Sequence, residues 1–125
     1  MSPRTVLMSL ALGRLAIGAA LTAKPQSEVG AGWVGSDEAR RPATALLFRS
    51  VGARDMALAL GTLAAMRDGG RLRPWLLGAT LADVVDLTST LGAGKAIPAR
   101  GRVSLALLAG SAIVAQLALT RRFDS

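Results

Sequence analysis

The chain has no cysteine, no histidine and no tyrosine, and its aromatic side chains are two tryptophans and two phenylalanines. Without cysteine or histidine there is no disulfide, no thiol redox pair, no His-ligated haem and no zinc site of the usual Cys/His kind. A Ser-His or Cys-His nucleophilic pair is excluded on the same ground. Aromatic residues make up only 3% of the chain, which leaves almost nothing on which nucleic-acid bases can stack. The 15 Lys and Arg against 8 Asp and Glu give a formal charge of +7. The basic residues outside the apolar stretches are scattered over every connecting segment and form no stripe, so nucleic acid is not an expected partner.

What the chain has in quantity is apolar sequence. It is 51% hydrophobic with a mean hydropathy of +0.43, too apolar for an ordinary soluble domain. The apolar residues gather in four runs, 5–23, 43–66, 72–92 and 103–119, which are 19, 24, 21 and 17 residues long. At 1.5 Å per helical residue they reach roughly 25 to 36 Å, bracketing a hydrocarbon core of about 30 Å. Pro3, Pro25, Pro42, Pro74 and Pro98 lie in connecting segments or in the first turn of a run, where a missing N–H costs little. The expected fold is all-α: a four-helix transmembrane bundle, up-down-up-down, with short polar loops, forming one integral membrane domain over residues 1–125.

Trp33 and Trp75 fall outside the centres of the runs, suiting an amphipathic ring at headgroup level, and are read as interface anchors. The first run, with Arg4 before it and "LTA" near its end, has some look of a cleaved signal peptide. Arg14 in the middle of its apolar region argues for a first span instead. The expected location is the inner (cytoplasmic) membrane, with multiple passes. Orientation is weakly determined: the Lys and Arg outside the spans divide six and six between the two sides, so the positive-inside rule favours cytoplasmic termini only through the N-terminal amine.

Two glycine patterns invite a nucleotide reading and fail it. "GAGWVG" places Gly30, Gly32 and Gly35 at G-x-G-x-x-G spacing, but that turn works only between a strand and a helix of a βαβ unit. Here it follows "KPQSEV" and no parallel-sheet pattern exists, so a flexible interfacial loop is expected. "LGAGKA" matches a phosphate loop only at Gly94 and Lys95, with Ser89 where the first glycine belongs and Ala96 in place of Ser or Thr.

The informative feature is charge inside the apolar runs. Arg14, Arg49, Arg54, Asp55, Asp83 and Asp86 sit well within the first three, while the fourth carries only uncharged polar groups, chiefly Gln116 and Ser111. Each Arg or Asp at a span centre costs about 2.5 to 3.5 kcal/mol on the insertion scale, so they cannot all face lipid. The six sum to zero, which points to an intramembrane network of ion pairs. When the spans are folded up and down, Arg14, Arg54 and Asp83 fall near one depth and Arg49 levels with Asp86. Asp83 and Asp86 are three residues apart and share a helix face, a face on which Gly78, Ala79 and Ala82 also recur. Arg49, Ala53, Ala57, Gly61 and Ala65 repeat every fourth residue on the second span. Small residues at such spacing let membrane helices approach closely. The expectation is that these two seams meet, with Arg49 opposite Asp86. A third seam, Ser9, Gly13, Ala16 and Ala20 with Gly18 nearby, flanks Arg14, whose acceptor is Asp83 or Asp55.

At "LGRLAIG", "FRSVGARDMALALG" and "LADVVDL" the chain resembles a family of small four-span integral membrane proteins common in actinobacteria, a domain family of unknown function. The resemblance covers most of the length and rests on Gly13, Arg14, Gly18, Arg49, Gly52, Arg54, Asp55, Asp83 and Asp86. It implies the same topology and points to the same charges without naming an activity.

The network has two readings. As a register device it makes the protein a structural or accessory subunit, packed against a second copy or a larger membrane partner as well as the lipid bilayer. As a polar pathway it makes the protein a small oligomeric transporter or channel for a proton, an ion or a small polar ligand. Acids flanked by arginines stay ionised, which suits register better than proton carriage. No nucleophile motif or metal-ligand set stands out, so no catalytic residue, metal or cofactor is expected.

Overall fold

The computed structural model describes residues 1–123. Four long helices carry the structure: α1 (Pro3–Ala23), α4 (Pro42–Asp68), α5 (Arg73–Ala93) and α6 (Ala99–Arg122). Two short ones, α2 (Glu28–Val34) and α3 (Ser36–Ala39), lie between α1 and α4, and a 3₁₀ turn (Gly94–Ala96) follows α5. There is no strand among the described residues.

The helix ends follow from local chemistry. Ser2 caps α1, its hydroxyl accepting the Thr5 N–H at 3.1 Å, and Pro3 occupies the first turn, where no N–H is needed. Pro42 opens α4 and Pro74 opens α5 in the same way. Gly69 ends α4 in the left-handed region (φ 68°, ψ 24°), which only glycine enters freely, and the Gly70 N–H returns to the Ala65 carbonyl at 2.8 Å.

The helices associate as two pairs. α1 packs along α4 and α5 along α6, each far more extensively than α4 packs on α5 or α1 on α6. The α1/α4 crossing is made by Gly18 and Gly52. A Cβ on Gly18 would stand 2.7 Å from the Gly52 carbonyl oxygen, so the backbones meet with no side chain between them. Two apolar clusters close the ends of the assembly. One joins Leu7, Ala65, Met66, Leu72, Leu76 and Leu119; the other joins Leu21, Ala39 and Phe48.

The first connecting segment differs from the expected polar loop. It folds into α2 and α3 because it is held at both sides: Trp33 stacks on Phe48 with ring centroids 5.3 Å apart, and its indole N–H donates to the Thr90 hydroxyl at 3.0 Å. Ala39 of α3 is completely buried in the cluster with Leu21 and Phe48. Of the "GAGWVG" glycines, Gly30 serves packing, Gly35 makes the positive-φ turn between α2 and α3, and Gly32 has open space around it. Gly30 and Gly101 sit where any Cβ would strike backbone or ring atoms.

The small-residue seam expected on α4 also differs. Ala53 and Ala57 are exposed and face away from α5, and Gly61 lies under the ring of Trp75. Gly78 has the Leu58 side chain beside it, while Ala79 and Ala82 are buried. Four-residue spacing drifts round a 3.6-residue helix, and the face α4 gives to α1 is set by Gly52, not by the alanines.

Candidate functional site

The charged side chains converge between the two apolar ends and join all four long helices. Arg14 of α1 donates from Nη1 to Asp55 Oδ1 of α4 at 3.1 Å, and from Nη2 to Asp83 Oδ2 of α5 at 2.6 Å and Gln116 Oε1 of α6 at 3.2 Å. Gln116 completes the α6 side by donating Nε2 to Asp83 Oδ2 at 3.0 Å and to the Thr80 hydroxyl at 3.3 Å. Arg54 forks onto Asp86, Nη1 to Oδ1 at 3.0 Å and Nη2 to Oδ2 at 2.7 Å, and also donates to Asp55 Oδ1 from Nε and Nη2. Two-pronged Arg–carboxylate pairing fixes both distance and orientation. It bridges α4 and α5 where their backbones stand apart, so the network clasps one helix pair to the other.

Arg49 is absent from this network. It is exposed and donates Nε to the Thr22 carbonyl at 3.2 Å, and its expected partner Asp86 is taken by Arg54. The reason is angular. Arg49 and Arg54 are five residues apart, about 140° around a helix at 3.6 residues per turn, so both cannot face α5. Matching depth along the helix does not match direction around it.

The outward position of Arg49 shifts the charge balance. With Arg49 outside, the buried set is Arg14 and Arg54 against Asp55, Asp83 and Asp86, one negative charge in excess when all are ionised. The side chains of Asp55 and Asp83 are 9% and 10% exposed. Every hydrogen bond to Asp55 falls on Oδ1 and every one to Asp83 falls on Oδ2. Asp55 Oδ2 and Asp83 Oδ1 thus have no donor among the described residues.

These groups face a cavity of about 660 Å³ between the two helix pairs, within the size range of small-molecule sites. Arg14, Asp55, Asp83, Asp86 and Gln116 form its polar wall. Ile17 and Leu21 of α1 and Leu105 and Leu108 of α6 supply apolar sides, and Trp33 and Arg100 stand at the α2 end. Gly13, Ser104 and Leu108 along the α1/α6 rim are exposed. Behind Arg14 and Gln116 a second cavity is only about 10 Å³, shut off by Leu7 and Leu76.

Of the expected site residues, then, Arg14, Arg54, Asp55, Asp83 and Asp86 come together. Gly13 is on the cavity rim and Gly18 is in the α1/α4 crossing. Trp33 is tied into the fold by Thr90 and Phe48, whereas Trp75 packs on Gly61. Gln116 and Thr80 join the site without having been expected in it, although Thr80, Asp83 and Asp86 recur every third residue as one polar stripe. Among the described residues no group of His, Cys, Asp or Glu has metal-binding geometry. Comparison with family models, curated proteins and solved structures finds no match. α1, the α5 segment Arg73–Ala96 and α6 are each long and apolar enough to cross a membrane.

Proposed function

We propose that the chain is a four-span integral membrane protein of the cytoplasmic membrane, up-down-up-down, that binds a small ligand in the cavity between its helix pairs. The observation that carries this reading is that Arg14, Asp55, Asp83 and Asp86, while paired within the network, also line an open cavity and are not sealed in a dry interface. A network serving register alone gains nothing from an adjoining void, whereas intramembrane ionisable groups beside a cavity mark substrate and ion sites. The closed end behind Gln116 favours a binding protein or carrier over an open channel.

α4 joins the three apolar helices as a span because its charges turn away from lipid. Its outward Leu46, Leu47 and Leu60 are all more than half exposed, a surface suited to lipid and costly in water. Arg54 and Asp55 reach inward to partners, and Arg49 is close enough to the start of the helix for its long side chain to extend towards the headgroups. The same topology is what the resemblance to the actinobacterial four-span family implies.

Because the chain lacks cysteine, Asp37→Cys, Gly70→Cys and Lys95→Cys can each be labelled in intact cells with a membrane-impermeant thiol reagent. Four spans put Gly70→Cys on the side opposite to both others. If Asp37→Cys and Gly70→Cys label together, opposite Lys95→Cys, then α4 does not cross and the topology is refuted. Intact mass under native conditions, after gentle extraction, tests the ligand reading. A stoichiometric protein partner seated in the α1/α6 gap would make the chain an accessory subunit instead.

A further inference from the structure

The excess negative charge, the two donor-free carboxylate oxygens and the shape of the cavity together restrict what fits. The geometry points to an elongated lipophilic monocation, a primary or secondary ammonium on an apolar body, bound with its nitrogen between Asp55 and Asp83 and admitted from the bilayer through the gap between α1 and α6. This rests on the reading of the cavity as a ligand site and specifies the chemistry of its occupant.

Charge comes first. When its five groups are ionised the network itself carries one negative charge in excess, with Arg100, the further cation on the cavity wall, at the opposite end, and a buried charge lacking a close counterion is costly. One ligand cation neutralises the set; an anion doubles the imbalance. Hydrogen bonding gives the same sign. Arg14 and Arg54 direct their network bonds at the aspartates and Gln116, while Asp55 Oδ2 and Asp83 Oδ1 present acceptors, so the polar wall asks for N–H donors. A carboxylate or phosphate group placed between Asp55 and Asp83 would meet oxygens.

Shape sets the rest of the molecule. The cavity runs beside α6 from Arg100 to Gln116, a span of about 24 Å at 1.5 Å per residue. Away from the network its walls are Ile17, Leu21, Leu105 and Leu108. A narrow apolar slot with acceptors at its inner end suits an alkyl or similarly extended body. Arg100 stands at the far, α2 end, where it repels a second positive charge and limits the ligand to one. The rim at Gly13 and Ser104 is exposed and opens on the side that faces lipid in the proposed topology, the phase in which such a molecule concentrates.

The test uses the full chain, purified in a neutral maltoside detergent, and three probes that share one alkyl chain: dodecylammonium, dodecanol and dodecanoate. Native mass spectrometry gives stoichiometry, and Trp33, which lines the cavity, reports titration by its fluorescence. The expected result is one dodecylammonium per chain, with both other probes at least roughly tenfold weaker. Asp83→Asn should weaken the ammonium roughly 10- to 100-fold, the worth of a charge-assisted hydrogen bond. Because Asp83→Asn also removes a partner of Arg14 and can unfold the chain, Gly13→Leu serves as the second variant. No atom lies within 4 Å of a Cβ at that position, so the substitution adds bulk at the cavity rim without an immediate clash at Cβ and should weaken binding at least roughly tenfold.

Dodecanol binding as tightly as dodecylammonium, or dodecanoate binding more tightly, with Gly13→Leu weakening either, overturns the cation assignment and leaves the ligand cavity standing. Undiminished affinity in a folded Asp83→Asn also overturns the assignment. If no probe binds the native chain, or Gly13→Leu binds as the native chain does, both the cation and the cavity reading fail.

Discussion

Replacing Arg14 and Arg49 in turn by methionine distinguishes an arginine inside the network from one outside it. Methionine replaces the apolar stem of arginine but not its guanidinium, so Arg→Met removes charge and donors while keeping the stem's packing. Arg14 makes two ion pairs, at 3.1 and 2.6 Å, and a further bond to Gln116, which is 2% exposed. Removing one partner of a buried pair costs about 3 to 5 kcal/mol, because the remaining charge stays buried without compensation. In Arg14→Met the residual set is Arg54 against three aspartates, which raises the excess from one negative charge to two. Arg49 is exposed and loses a single bond to the Thr22 carbonyl, worth about 1 kcal/mol or less. Graded unfolding in mixtures of maltoside and dodecyl sulfate, followed by circular dichroism, should show Arg14→Met unfolding at much lower dodecyl sulfate than Arg49→Met. Adding Asp83→Asn to Arg14→Met restores the original charge balance and should recover part of the loss, a coupling expected only between residues in contact. Equal destabilisation by the two single variants, or a larger effect from Arg49→Met, would refute the placement of these arginines.

Two further outcomes follow from the packing. Gly52→Val should cost about 1 to 3 kcal/mol or more by pushing α1 off α4, since a Cβ there meets the Thr22 amide nitrogen at 2.8 Å; Gly13→Ala, with open space around it, should stabilise by up to about 1 kcal/mol through helix propensity, and the same unfolding titration compares them. A Gly52→Val protein as stable as Gly13→Ala would show that the helices do not cross at that point. Trp33→Phe keeps a ring against Phe48 but strands the Thr90 hydroxyl, which is 2% exposed, at a cost of about 1 kcal/mol. Amide exchange in residues 28–34 should accelerate, and unchanged exchange would mean that the indole bond does not hold α2.

Much of this molecule is legible from residue types and spacing alone. The lengths of the apolar runs, the prolines in first turns and the glycine after Asp68 define the long helices to within a few residues, because helix formation and termination are local. The cost of charge in an apolar run likewise requires Arg14, Arg54, Asp55, Asp83 and Asp86 to seek partners, whatever the fold. Partner choice was not legible in the same way. Arg49 and Asp86 match in depth, yet which arginine reaches Asp86 depends on the rotation of α4, and that rotation is set by the Gly18–Gly52 contact with α1. The inclusion of Gln116 and Thr80, the helicity of residues 28–34 and the cavity itself depend on which helices pair. α1 with α4 and α5 with α6 leave a gap between the pairs that no periodicity in one helix encodes. The sequence determined that charge would be buried and must be satisfied, a requirement local to each residue. Only the tertiary structure decided that Arg49 stays outside, leaving two carboxylate oxygens without donors among the described residues at the edge of a largely apolar cavity, because that outcome depends on the relative rotation of four helices.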